Sequence, residues 1–164
     1  DRRKSIEFFH WLKEKRAFLE AEVLRRLSGY TRVNSTDYSD VISFFMPAEK
    51  DKWKTVYRML KMLFWSFIIE ELINRNLHPH YGIIHRRGAF GLVRDCLYAI
   101  SPETVLQALQ FFRSDSIEKL IEPSHRAFLL TSRGIHNIVA RFENKQYIAK
   151  KIMKDITDKL FELA

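Results

Sequence analysis

A histidine and an aspartate, ten positions apart, are the residues of this chain best suited to chemistry. His85 ends the segment 77–85, in which a Pro/Gly turn precedes a short apolar run, and Asp95 lies in the next predicted element. A neutral imidazole nitrogen and a carboxylate can bind a divalent cation, and that cation can polarise a phosphodiester. The spacing therefore predicts a metal-assisted phosphoryl-transfer site built from two neighbouring elements.

These residues also have structural interpretations, which the residues alone leave open. A single histidine after an apolar run is more often a hydrogen-bonded structural residue than a ligand. Asp95 can equally form a salt bridge with Arg94 or Arg87. His78 and His80 suggest zinc, but they flank a proline and no thiolate is near, which favours a solvated turn.

The composition favours a folded basic domain. Hydrophobic residues make up 46% of the 164 residues, and the formal net charge is +8 with a pI near 9.7. Such a surplus favours a polyanionic partner, most often nucleic acid, although an inert basic surface is the alternative. The single cysteine, Cys96, excludes an internal disulfide, which is typical of a reducing cytosol. We find no signal peptide, and the longest apolar stretch, 62–69, is too short to span a bilayer, so we expect no membrane association.

Helical periodicity and capping signals predict an all-α single domain over 1–164. The polar segment 31–43 is predicted to be a loop with a short turn, and 41–45 is a strand candidate without a partner. The first predicted helix is Ser5–Leu27, with Ser5 as its cap and Ser28–Gly29 as its stop. Three further helices are Pro47–Asn76, one from Phe90 that ends before Pro102, and Glu103–Phe112. The last helix runs from Thr131 or Ser132 towards the C-terminus, with an interruption around Asn144.

The motifs, taken in order, resemble those of the CRISPR-associated adaptation integrase, the "Cas-one" family. That family carries D-x-x-N, a long apolar helix, G-L-x-P-x-x-G-x-x-H, and about ten residues later D-x-x-E followed by P. The residues that match are Asp51 at the start, Leu77, Pro79, Gly82 and His85 in the middle, Asp95 and Pro102 at the end, and the tail segments 128–134 and 141–143.

The resemblance implies a metal-dependent DNA integrase and endonuclease of antiviral defence. Such an enzyme inserts spacer DNA into a CRISPR array by attack of a 3′-hydroxyl on a phosphodiester. Glu22, His85 and Asp95 would hold Mg²⁺ or Mn²⁺, with Glu20 as the alternative third ligand. The implied partners are double-stranded DNA, further copies of the chain in a dimer or tetramer, and in some cases a small adaptation subunit, all in a prokaryotic cytoplasm.

Three departures from the family pattern bear on this expectation, and the one at Tyr98 is the best support for a second hypothesis. Lys54 replaces the family's Asn, Tyr98 replaces the acidic residue after Asp95, and the N-terminal β domain is absent, which points to a compact member or a truncated chain. Tyr98 is then expected to orient a ligand or contact DNA without binding the metal. The alternative function is a catalytically dead, basic helical DNA-binding or scaffolding module. Candidate contacts to the DNA backbone are Arg25, Arg26, Lys52, Lys54, Arg86, Arg87 and Arg94.

Overall fold

A computed structural model describes residues 1–28, 37–114 and 116–164, and helices make up most of them. This confirms the predicted all-α fold class, apart from one short hairpin. The elements are α1 Arg2–Ser28, α2 Tyr38–Phe45, α3 Lys50–Asn74, α4 Gly91–Phe112, a 3₁₀ turn Ile117–Lys119, β1 Ile121–Ser124, β2 Ala127–Leu130, α5 Ser132–Asn144 and α6 Gln146–Leu163. Among these described residues, none of the helices is both long and apolar enough to cross a membrane.

Helix α4 is the central element, and α1 runs parallel to it. Leu12, early in α1, packs in one apolar cluster with Val93 at the start of α4. Val23, late in α1, packs in another cluster with Leu106 near the end of α4. The start of α1 and the start of α4 therefore lie at the same end of the molecule, which is also where the predicted histidine and aspartate lie.

Helices α3 and α6 run antiparallel to this pair. The end of α3 packs against the start of α4, and its beginning packs against the end of α4 near Phe111. Helix α6 follows α1 in the opposite direction, because Lys15 pairs with Asp155 and Lys159 pairs with Glu7 at 2.8 and 3.0 Å. These contacts place the ends of α3 and α6 around the start of α4.

One long α4 replaces the two predicted helices, so the predicted end before Pro102 is wrong. A proline inside a helix frees the carbonyl four residues earlier, because it has no N–H to donate. That carbonyl belongs to Tyr98, and it accepts hydrogen bonds from the Ser101 hydroxyl at 3.1 Å and the Arg16 guanidinium at 3.5 Å. These two donors satisfy the freed carbonyl, and the helix continues.

Three other local predictions are wrong. Residues 38–43 of the predicted loop and the strand candidate 41–45 both belong to α2, and the Asp37 side chain caps this helix by accepting the N–H of Asp40 at 3.1 Å. Ser5 does not cap α1, because the helix begins at Arg2 and the Ser5 hydroxyl donates to the Asp1 carbonyl. The antiparallel hairpin of β1 and β2 was not predicted. The predicted Gly29 stop and the segment 31–36 lie outside the described residues.

The C-terminal prediction is confirmed. Thr131 caps α5 by accepting the N–H of Gly134 on its side-chain oxygen at 3.1 Å. The predicted interruption falls at Lys145, between α5 and α6. The long predicted helix around the core is also present as α3, although it is shorter at both ends.

Candidate functional site

Asp95 is fully buried, and its carboxylate binds the backbone of the loop that precedes α4. It accepts the N–H groups of Ile83, Ile84 and His85 at 2.7, 3.0 and 3.0 Å. It also lies 2.6 Å from Nδ1 of His85. An ionised carboxylate offers about four acceptor positions, and these four contacts use them. The first role of Asp95 is therefore to hold the loop in one conformation.

The same loop caps the start of α4. The carbonyl oxygens of Pro79 and His80 accept the N–H groups of Gly91, Leu92 and Val93 at 3.1 to 3.3 Å. These are donors that a helix start otherwise leaves without intrahelical partners. Because carbonyl groups already occupy them, this end of α4 offers no free anion-binding site.

Close packing between the two ends of the loop requires glycine. A Cβ atom at Gly91 would lie 2.1 Å from the carbonyl oxygen of His85, and one at Gly82 would lie 2.5 Å from the carbonyl carbon of Gly91. Real Cβ contacts are never this short, and the obstructing atoms are backbone. The two glycines therefore let the loop fold over Asp95.

His85 presents one ring nitrogen away from the aspartate. Its side chain is 41% exposed, and Nδ1 donates to the Asp95 carboxylate. We assign the proton to Nδ1 because its partner is a carboxylate. Nε2 then carries the lone pair. A carboxylate-oriented histidine is a common arrangement both in metal sites and in general-base catalysis, so the pair alone does not decide between them.

The predicted third ligands do not join this pair. Glu22 pairs with Arg25 at 3.0 Å, and the hydrogen bond from this guanidinium is the main reason why the pKa of Glu22 is lowered. Ser5 contacts the loop through Arg86, and Glu22 lies about 25 Å further along α1 at 1.5 Å per residue. Glu22 instead borders a groove between α1 and α6.

Glu20, the alternative ligand, pairs with a cation that also contacts position 98. The Arg16 guanidinium lies 3.1 Å from the Glu20 carboxylate and 4.6 Å from the centre of the Tyr98 ring. A guanidinium therefore lies between the two positions where the family pattern would place acidic ligands. Arg16 was not predicted, although its position four residues before Glu20 on a helix was a usable signal.

The donor set does not fit Mg²⁺ or Mn²⁺. Both ions need several oxygen ligands with free lone pairs, whereas the carboxylate of Asp95 is used by three N–H groups and His85. Among the described residues, no three His, Cys, Asp or Glu side chains are grouped so that they could hold a metal. The predicted triad of Glu22, His85 and Asp95 is thus reduced to a pair.

The histidines of the turn have local partners. Nδ1 of His78 accepts the N–H of His80 at 3.3 Å, and Nδ1 of His80 accepts the N–H of Phe90 at 3.1 Å. The rings of His80 and Phe90 lie 4.3 Å apart. These contacts support the interpretation of the pair as part of the turn.

The predicted DNA contacts fall into two groups. Four of them lie at the far end of the molecule, and each has a carboxylate partner. These pairs are Arg25 with Glu22, Arg26 with Glu103, Lys52 with Glu49, and Lys54 with Asp51. The remaining three, Arg86, Arg87 and Arg94, belong to the loop and the first turn of α4, beside His85.

The loop group has no such compensation. Arg86 is held by the carbonyl of Ile83 at 3.0 Å and by the hydroxyl of Ser5. Arg87 and Arg94 are exposed, and within the described ranges none of the three has a carboxylate partner. We call Arg86, Arg87 and Arg94 the loop face.

No protein-family model matches the chain, and neither a curated protein nor a solved structure shows significant similarity to it. The resemblance to the adaptation integrases therefore stays a prediction.

Proposed function

We propose that this chain is a basic helical DNA-binding module that contacts the phosphate backbone through its loop face and has no metal-dependent active site of its own. The observation that carries the proposal is that two arginines of the loop and one of the first turn of α4 lie together where a buried carboxylate holds the loop in place. The Asp95 carboxylate is turned inward to the backbone, so it does not offset the charge of the three arginines. The net charge of +8 supports the same conclusion.

Arginines on a backbone that is held in place are suited to this role. Guanidinium groups bind phosphate oxygens through two parallel N–H donors, and a fixed loop reduces the entropy lost on binding. Phosphate contacts position a protein on DNA without reading its sequence. We therefore expect binding to duplex DNA that depends weakly on sequence, strongly on ionic strength, and not on divalent cations.

The experiment is a fluorescence anisotropy titration of a labelled duplex at several salt concentrations in EDTA. Each phosphate contact contributes about 0.9 to the slope of log affinity against log salt concentration. We expect the variant R87Q/R94Q to lower that slope by about 2 and the affinity by about tenfold. The matched control K61Q/K150Q removes the same charge from exposed positions on α3 and α6. Equal losses in both variants would reduce the effect to net charge and contradict a specific face.

The second candidate is the metal-dependent integrase or endonuclease that the family resemblance implies. The pairing of His85 with Asp95 favours it, because the pair orients Nε2 towards solvent. This candidate also includes spacer DNA as the substrate, Mg²⁺ or Mn²⁺ as the cofactor, and Tyr98 as a residue that orients a ligand. Its expected assembly is a dimer or tetramer, in some cases with a small adaptation subunit. Plasmid nicking and strand-transfer assays with Mn²⁺ test it: activity that is lost in His85→Ala would support the enzyme over the DNA-binding module.

A further inference from the structure

A second basic surface lies on the far side of the molecule, around α5. Two open cavities of about 720 and 490 Å³ adjoin there, and Arg141 lines both. Lys119 and Arg133 lie in the first cavity, and Lys145 lies in the second. The second cavity is also bordered by Arg26 and Arg113. We call Lys119, Arg133, Arg141 and Lys145 the α5 face.

Positive charge on the α5 face is not neutralised by its lining. The described residues that line the two cavities include no Asp or Glu. Within the described part of the chain, none of the four α5-face cations lies within ion-pair distance of a carboxylate. Some other cations of the described residues do have such partners, as Lys15 does with Asp155 and Lys154 does with Asp158.

Neutral groups hold two of these cations in place. The Arg141 guanidinium donates to the amide oxygen of Asn137 at 2.7 Å and to the hydroxyl of Ser114 at 2.8 Å. Lys145 donates to the amide oxygen of Gln110. These neutral partners fix the side chains without cancelling their charges. Burial lowers the pKa of both the Arg141 and the Lys145 side chains, although the nearby Glu103 carboxylate acts in the opposite direction on Lys145.

The other lining residues favour phosphate over a base or an apolar ligand. Hydroxyl and amide groups come from Ser116, Ser132, Asn137 and Asn144, and the first turn of α5 adds its partial positive charge. The described lining contains no Phe, Tyr or Trp. Nucleic-acid sites that bind unpaired bases use such rings as stacking platforms. Cations without aromatic rings are instead suited to a phosphate backbone.

We propose that the α5 face is a second binding surface for the backbone of duplex DNA, separate from the loop face. The choice of DNA as the polyanion rests on the proposed function. Arg26, at the border of the α5 face, lies about 30 Å along α1 from Ser5, which contacts the loop face at Arg86. One guanidinium cannot serve both surfaces over this distance, so each should contribute its own set of phosphate contacts.

Separate variants test the two surfaces by duplex anisotropy over a range of salt concentrations. K119Q/R133Q reports on the α5 face, R87Q/R94Q on the loop face, and K61Q/K150Q is the control. Lys119 and Arg133 are exposed, so the substitution leaves the core intact. We expect K119Q/R133Q to lower the salt slope by about 2 and the affinity by about tenfold. The charge-preserving variant K119R/R133K should bind like the wild type.

Each outcome decides one of the two proposals. If K119Q/R133Q binds DNA like the wild type while R87Q/R94Q binds it more weakly, the proposed α5 face is wrong and the proposed function stands. The reverse pattern supports the α5 face and overturns the loop face. Absence of wild-type binding at low salt overturns both. A further outcome is that the wild type binds phosphatidylserine vesicles but not DNA, and that K119Q/R133Q abolishes this binding. That result would assign the α5 face to membranes and overturn this inference.

Discussion

Asp95 and Glu103 lie on the same helix and are both buried, yet they have opposite surroundings. Asp95 is 0% exposed and accepts three backbone N–H groups in addition to its contact with His85. Glu103 is 3% exposed and accepts one hydrogen bond, from Gln107 at 3.3 Å, while Arg26 lies 4.0 Å away. The first carboxylate has its acceptor positions filled by hydrogen bonds, and the second is only partly compensated.

The consequences differ accordingly. Burial raises the pKa of Glu103, although the hydrogen bond from Gln107 acts in the opposite direction. Near Glu103, the side-chain oxygens of Thr104 and Gln107 are buried without a hydrogen-bond partner among the described residues. The position of an acidic residue in a motif therefore says little about whether it is catalytic or structural. The polar groups around the acid decide whether it builds structure or remains under-compensated.

Removing the Asp95 carboxylate should have the largest effect. Asp95→Ala leaves three backbone N–H groups without their charged acceptor, and each such loss costs about 1–3 kcal/mol. We therefore expect the free energy of unfolding in urea to fall by roughly 4 kcal/mol. His85→Ala removes only one of the four contacts and is the matched control, with an expected loss of about 1 kcal/mol. Similar losses in the two variants would mean that the backbone contacts contribute little.

Gly91→Ala tests the same clamp from the side of the loop. The new methyl group would meet the His85 carbonyl, a backbone atom that cannot rotate away, so we expect a loss of about 3 kcal/mol in urea unfolding. Gly88→Ala is the control, because its φ of 93° is unfavourable for alanine but a Cβ there would meet only the Arg94 guanidinium, at an ordinary contact distance of 3.7 Å. That strain should cost about 1 kcal/mol. A harmless Gly91→Ala would show that the loop is not held over Asp95.

Glu103→Gln should change how stability depends on pH. A folded-state pKa above the unfolded value of about 4.3 means that the native state holds the proton more tightly. The wild type should therefore lose stability as the pH rises from that value through the folded-state pKa, whereas the variant lacks this loss. Urea unfolding at pH 4, 5, 6 and 7 should show the variant gaining on the wild type as pH rises. A constant difference across this range would contradict the comparison.

Tyr98→Phe should have the smallest effect. The described contacts of Tyr98 involve its ring, beside Arg16 and Phe9, and its backbone carbonyl. Removing the hydroxyl leaves these contacts in place, and we expect the melting temperature to change by less than about 2 °C. Tyr98→Ala removes the ring beneath the guanidinium and should cost about 1 kcal/mol. A large effect of Tyr98→Phe would show that the hydroxyl has a role of its own.

Periodicity was sufficient to predict the helical fold class, because apolar residues recur at helical spacing along α1, α3, α5 and α6, although the ends of α1 and α3 differ from those predicted. It failed at Pro102, where the helix continues because Ser101 and Arg16 satisfy a freed carbonyl. One of these donors comes from another helix and was invisible to local rules. The structure brings His85 and Asp95 together, as their spacing indicated, but their role as metal ligands stays a prediction. The saturation of Asp95 by backbone N–H groups depends on how the glycine-containing loop folds, which no residue type reveals.

The Asp95 carboxylate binds the protein backbone, and we expect that it does not bind a metal. Titration of Mn²⁺ followed by electron paramagnetic resonance tests it directly, because free and bound ions give separate signals. We predict weak binding at neutral pH that is the same in the wild type and in His85→Ala. If each wild-type chain binds one Mn²⁺ tightly and His85→Ala abolishes this binding, the result contradicts that expectation. It would then favour the hypothesis of a metal-dependent enzyme.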